Sequence, residues 1–324
     1  MIRPLLDLVV RDGVSHWAGL KSCASIWSCP VCAAKIAAER IKEIAGVVQA
    51  QLDLGGGAVF LTLTFSHHLG MRLSDLIDRR QRAWAGLRQS WVWRDFKAEF
   101  GTEFVGMREH TWGAVNGWHP HLHAVLLTSR FLAEAERAKW HKAIRTEWLR
   151  QLQRVGLSGT PARACRLDAW NHRKAEDMAG YLAKQLALEV GGGTFKRGRE
   201  DGLTPWELLD GAIDGEAGRL ELWQEHEAAT FGKHAMFWSK GARKLRPGPE
   251  VTDEELAEAE VGGEVVLSCD GVVKRALWQA SPRGVEALEI GERDRAEVLR
   301  YVLAHAPPDG RVYGPLIERE TPDG

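Results

Sequence analysis

The chain reads as an α+β protein built on a largely antiparallel sheet, and three observations predict this. Strand-like and helix-like segments follow one another in the order β-α-β-β-α-β-α over residues 58–190. A short glycine-bounded segment, "GAVNG", joins two strand-like segments directly, and a turn that short requires them to be antiparallel. The composition, 44% hydrophobic and 27% charged over 324 residues, suffices for a real core.

In chain order, "CAAKIAAERIKEIAGVVQAQL" sets Ile36, Ile41, Ile44 and Val48 at helical spacing and predicts a helix over about 31–52, stopped by "DLGGG". "AVFLTLTFS" is rich in β-branched and aromatic residues and predicts a buried strand over 58–65. "LSDLIDRRQRAWAGLRQSWVWRDFKAEF" predicts one helix over about 74–98, with Ser74 as N-cap and Ile77, Trp84, Leu87 and Trp91 on its apolar face. "EFVGMREHTW" and "WHPHLHAVLL" form the hairpin, and "LAEAERAKWHKAIRTEWLRQLQRVG" is a helix over 132–155. "ARACRLDAW" is a further strand, and "KAEDMAGYLAKQLALEV" a helix closed by "GGG". Beyond Gly191 come helices at "PWELLDGAI" and "RLELWQEHEAATF", then a basic end, "SKGARKLRPGP". The expected divisions are an N-terminal segment with its helix (1–52), a core (53–190), a helical extension with a basic loop (191–249) and an acidic C-terminal region (250–324).

The net charge of −1 is a cancellation. Residues 1–200 hold 29 Lys and Arg against 19 Asp and Glu, whereas residues 201–324 hold 14 against 25. A basic front portion suits a polyanion such as nucleic acid. No apolar run approaches a membrane span and no signal peptide is visible, so a cytoplasmic protein with no membrane partner is expected. In that compartment clustered cysteines hold metal more often than they form disulfides. Cys23, Cys29 and Cys32 read C-x5-C-x2-C, and "CPVC" ahead of a helix is half of a structural Zn²⁺ site. The fourth ligand is His16 or, more distantly, Cys165, and Ile26 and Trp27 would pack beneath such a knuckle.

The stretch "NGWHPHLHAVLL" concentrates three of the twelve histidines. On a strand, His119, His121 and His123 share one face, where neutral imidazoles can converge on a divalent ion. Pro120 belongs more naturally at a strand's start than in its middle. Pairing across the turn brings Glu109 near His119 or His121, completing a mixed N/O site suited to Mg²⁺ or Mn²⁺ as well as Zn²⁺; His110 faces the other way. In "AEDMAGYLAKQLA", Asp177, Tyr181 and Lys184 form one helical stripe. By itself that is an ordinary amphipathic helix, but a tyrosine beside a cation site is also a potential covalent nucleophile.

Three segments, "FLTLTFSHH" (60–68), "GWHPHLHAVLL" with its His121-Leu122-His123 element, and "YLAK" (181–184), occur in the order found in HUH endonucleases. With the cysteine cluster and "TPWELL…FWSKGARKL", the chain resembles plasmid rolling-circle replication initiator (Rep) proteins over about 16–246. The resemblance implies an HUH/ferredoxin-like (RRM-like) antiparallel sheet with helices packed on it, a small zinc knuckle and a C-terminal accessory region. It implies that His121 and His123 ligate Mg²⁺ or Mn²⁺ with Glu109 as third ligand and His119 as an auxiliary. Tyr181 would attack the scissile phosphate of single-stranded or hairpin origin DNA, leaving a 5′-phosphotyrosine and a 3′-hydroxyl primer, with Lys184 supporting the phosphate or metal. Host helicase and polymerase are the implied partners. One departure is that this chain carries a single tyrosine in the motif, with Asp177 four residues before it and Glu176 beside that; either is the candidate base for termination.

For DNA contact, Lys196, Arg197 and Arg199 in "FKRGRE" form a basic, glycine-flanked loop. Arg79, Arg80, Arg82 and Arg88 lie along the second helix, either tracking phosphates or as a solvated face, with Trp84 and Trp91 as core. The competing readings are a small-molecule metallohydrolase, an HUH transposase or relaxase, and a non-catalytic zinc-dependent DNA-binding regulator.

Overall fold

The structure, a computed structural model, describes residues 5–19, 22–169, 202–258, 262–279 and 283–314. It divides into two compact units, residues 1–22 with 258–324, and residues 23–257. Strands β1 (Leu6–Arg11) and β2 (Val14–Ala18) form a hairpin over Asp12 and Gly13, both at positive φ (52° and 80°), as an Asp-Gly turn requires.

The larger unit opens with helix α1 (Pro30–Asp53), which has Pro30 at its first position and Cys29 as N-cap, the Cys29 sulfur accepting from the Cys32 N–H. Its stripe of Ile44, Val47 and Val48 packs on one face of the main sheet. β3 (Gly57–Leu63) is buried on both faces, which explains its continuous apolar run.

The expected single helix over 74–98 is two helices, α2 (Leu73–Gln89) and α3 (Trp91–Phe100). Ser90 is extended (φ −71°, ψ 159°) and caps α3 through its side chain to the Trp93 N–H. The break resets the helical phase, so Trp91 is 60% exposed rather than core, while Trp84 is buried as expected. Of the four arginines along this stretch, Arg80 neither faces solvent nor is free to track phosphates, being 1% exposed. Its position falls in the inward stripe of Leu76, Ile77, Ala83, Trp84 and Leu87.

β4 (Glu103–Gly113) and β5 (Gly117–Thr128) form the hairpin, turned by Gly117 at φ 73°. A Cβ there would also lie 3.2–3.3 Å from the backbone of Leu69 and His68. At Pro120 the strand is flanked only by β4, because pairing with β3 ends at Leu122. α4 (Glu134–Arg154) leads to β6 (Cys165–Ala169). The strand order β6-β3-β5-β4 is antiparallel throughout, and β4 carries the short strands β7 (Gly202–Leu203) and β8 (Met236–Trp238) on its outer edge. Helices α2, α3 and α4 bury the opposite face of this sheet from α1. α5 (Pro205–Ile213), capped by Thr204 and Glu207, and α6 (Arg219–Thr230) correspond to the two expected helices of the extension. The basic end forms α7 (Lys240–Lys244), and α8 (Asp253–Glu258) presents Asp253 to Arg40 at 2.6 Å.

In the smaller unit, β9 (Glu264–Cys269) pairs with β1 and carries β10 (Val312–Tyr313), in the order β10-β9-β1-β2. Helices α9 (Gly271–Gln279), α10 (Arg283–Arg293) and α11 (Arg295–His305) complete it, burying Val273, Leu277, Ala287 and Val298 with Leu6 and Leu8. The expected division into 1–52 and 250–324 differs from this arrangement. The β1–β2 hairpin parts from the cysteine segment because the apolar face of β1 is buried by elements from the other end of the chain.

Candidate metal centre

The hairpin register places Glu109 directly opposite His121, with Met107 opposite His123 and Thr111 opposite His119. Side chains opposite or diagonal on one face lie within reach of each other. Glu109, His121 and His123 accordingly each offer a ligand atom, all within 4.8 Å of one another. The face they occupy continues as Val105, Met107, Val125 and Leu127, which pack under α1. The strand therefore changes along its length from a buried apolar end to a polar end on the same face.

The shell around the group is ordered. His123 Nε2 lies 3.2 Å from a Glu109 carboxylate oxygen, and the Thr62 hydroxyl lies 3.1 Å from His123 Nδ1. Thr62 on β3 thus fixes which way the imidazole faces. His121 Nδ1 is buried without a hydrogen-bond partner among the described residues, and its backbone carbonyl accepts from Arg80 Nη1 at 2.7 Å. Burial holds the His121 imidazole neutral, pushing its pKa down to about 3 against the pull of Glu109. Burial and the neighbouring His67 push His119 down to about 4. Neutral nitrogens beside a carboxylate are the donor set that borderline and hard divalent cations accept. The His119 ring lies tilted against His121, centroids 4.0 Å apart, and against His67 at 4.3 Å, and stands outside the convergent group of three. His67, whose Nδ1 donates to the Asn116 carbonyl at 2.8 Å, also borders the row; its sequence signal is its place in the "FSHH" end of the first motif.

Cys23, Cys29 and Cys32 also come together within 4.8 Å, with the Cys23 and Cys32 sulfurs 3.6 Å apart. Burial, with the adjacent Cys32 and Cys23 thiols, pushes Cys29 up to about 11. Ile26 is buried beside Cys32, Ala33 and Ile36, and Trp27 packs against the same cluster. His16 stands on β2 opposite Val9 in the other unit. Cys165 stands on β6 opposite Leu63, apart from the three cysteines, and is a buried thiol pushed up to about 12. Tyr181, Lys184, Asp177, Glu176, Lys196, Arg197 and Arg199 lie outside the described residues.

Two consequences are measurable. Thr62→Val is expected to weaken Mn²⁺ binding by roughly 10–100-fold, as loss of an orienting partner does; unchanged affinity in a titration would remove Thr62 from the site. The second concerns acid. His119, His121 and His226 have folded pKa values of about 4, about 3 and about 4, and burial holds His110 well below its usual value. The unfolded chain protonates these groups below about pH 6.5 while the folded chain does not. The stability they contribute is complete above that pH and is lost as pH falls toward their folded values. The expected slope approaches about 1.4 kcal/mol per pH unit per histidine. Denaturant unfolding that is flat between neutral pH and pH about 5 would contradict it.

Among curated proteins, this chain is similar to "Protein rep" of Streptomyces lividans, 31% identical over 377 aligned positions that cover 91% of this chain and 82% of that protein. The chain belongs to the Rep protein family. It is also 34% identical over 197 positions to "Neomycin resistance protein" of Streptomyces cyanogenus, an alignment covering 53% of this chain and 42% of that protein. No family model matches the chain, and no solved structure matches it. Among the described residues no helix is long and apolar enough to cross a membrane.

Proposed function

We propose that this Rep family member initiates plasmid rolling-circle replication by nicking and rejoining single-stranded origin DNA. The observation that carries the reading is the convergence of Glu109, His121 and His123 on one sheet face, in a chain whose relative is named a Rep protein. The β-α-β-β-α-β run with order β6-β3-β5-β4 supports an HUH-type, ferredoxin-like core.

Glu109, His121 and His123 would hold Mg²⁺ or Mn²⁺, and the orphaned, neutral His121 Nδ1 fits a group with a vacant donor. A divalent cation there supplies Lewis-acid polarisation of a phosphodiester. Tyr181 is the proposed nucleophile: its oxygen bonds to the scissile phosphorus, its proton leaves to solvent or a base, and the 3′-oxygen departs as a hydroxyl primer. Lys184, one turn along, offsets charge on the phosphate. Asp177 or Glu176 activates the group that later resolves the phosphotyrosine, by accepting its proton. His119 supports the histidine row. Lys196, Arg197 and Arg199 contact the DNA backbone. Cys23, Cys29 and Cys32 hold Zn²⁺ with a fourth ligand, as a structural knuckle. The protein works in the cytoplasm on origin DNA, with host helicase and polymerase extending the primer.

The test is incubation of the full chain with a single-stranded origin hairpin and Mn²⁺, with and without chelator. Metal-dependent nicking together with a protein–DNA adduct resistant to denaturant is expected. DNA binding that persists with no cleavage would instead make the chain a zinc-dependent DNA-binding regulator. Cleavage without an adduct would indicate a water nucleophile.

A further inference from the structure

On the sheet face opposite the metal ligands, β4 turns Arg108 and His110 toward α6 and the segment that follows Cys23. A small cavity there is lined by Trp27, Arg108, His110, Trp206 and His226, with Ile26 at its edge. His110 and His226 are 3% and 0% exposed, and neither ring nitrogen of either has a hydrogen-bond partner among the described residues. Four unpartnered buried nitrogens are costly unless something meets them. Trp27 stacks on His110 at 4.9 Å and Trp118 on His226 at 5.9 Å, which holds the two rings in place.

The charge around the cavity has one sign. Arg80 is buried behind His110, and its Nε and Nη2 lack partners, leaving Nη1 on the His121 carbonyl as its one bond. Arg108 donates to the His234 carbonyl and lies 4.7 Å over the Phe237 ring. Neither arginine makes an ion pair among the described residues; Glu225, next to His226, commits its carboxylate to the Trp118 indole N–H and the Leu73 N–H. A buried cation without a carboxylate, Arg80, is strongly unfavourable, and the half-buried Arg108 adds a second positive charge beside it. A cation would not enter such a site, because the arginines repel it.

We propose that this cavity binds a phosphate-type oxyanion, held by Arg108 and by N–H donors from His110 and His226, with the buried Arg80 supplying long-range charge. Its source is a backbone phosphate of bound DNA, which rests on the function proposed above, or free inorganic phosphate, which does not. The anion would tie β4, α6 and the residues after Cys23 together, on the reverse side of the strand that carries Glu109.

The experiment is thermal unfolding of the full chain as isolated, with no added Mg²⁺ or Mn²⁺, titrated with inorganic phosphate against sodium chloride at matched ionic strength. A saturable rise in Tm with phosphate is expected, as for any ligand that binds the folded state. His226→Phe, which keeps an aromatic ring, and Arg108→Gln are each expected to lose that rise. Absence of a saturable rise in the parent protein, or an equal rise in both variants, overturns the proposal. To separate the sources, single methylphosphonate linkages are walked along the DNA strand. One position that weakens binding to the parent but not to Arg108→Gln assigns the site to the DNA backbone; no such position, with the phosphate shift intact, assigns it to free phosphate. Because the titration involves neither DNA nor cleavage, failure of the nicking reaction would leave it unchanged.

Discussion

Tyr181→Phe is expected to abolish the covalent protein–DNA adduct and to lower origin nicking by more than about a thousand-fold, as loss of a nucleophile does. The substitution removes one oxygen and keeps the ring, so DNA affinity should be retained. Denaturing electrophoresis of labelled DNA reads the adduct, and a binding titration reads the affinity. An adduct of undiminished yield would show that the attacking atom lies elsewhere; the chain's other tyrosines, Tyr301 and Tyr313, belong to the smaller unit.

Glu109→Ala is expected to weaken Mn²⁺ binding by more than the roughly 10–100-fold that loss of an outer partner such as Thr62 costs, and to remove metal-dependent nicking. The carboxylate lies opposite His121 and 3.2 Å from His123 Nε2, so its loss leaves two imidazoles with no negative charge between them. Glu109 is partly exposed, and its truncation should leave the fold standing, which circular dichroism would verify. His123→Ala should abolish metal binding comparably, with a larger stability cost because His123 is 5% exposed and packs on Phe60. If Glu109→Ala binds Mn²⁺ like the parent, the third ligand is another residue.

Much of this site was legible because its parts are local. The two-residue period of a strand puts His119, His121 and His123 on one face wherever the strand ends up. The Gly113–Gly117 turn is short enough that few registers are open to it, so Glu109 was a sound expectation before any packing was known. The cysteine triad was legible for a similar reason, since nine residues and a helix start bring three sulfurs together. The strand period treats all three histidines alike, so only the resemblance set His119 aside; in the structure its ring lies 4.3 Å from that of His67 and outside the group of three.

Arg80 marks the other limit. An arginine among Arg79, Arg82 and Arg88 looks like a solvated face, yet the inward stripe of α2 passes through it. The spacing from Leu76 and Ile77 to Ala83 and Trp84 carries that phase, which residue type alone conceals. The helix break at Ser90 was hidden for the converse reason, because serine is tolerated inside helices and only its cap to Trp93 reveals the stop.

By itself the sequence determined the α+β class, the order of strands in the described core, the histidine row and the cysteine cluster. These follow from periodicities and turns that a segment carries within itself. Only the tertiary structure decided that β1 pairs with β9, more than 250 residues away, and that His110 on β4 meets His226 on α6 in an unpartnered, cation-flanked cavity. Such contacts depend on which apolar faces bury one another across the chain, and a face marked only as apolar does not name its partner.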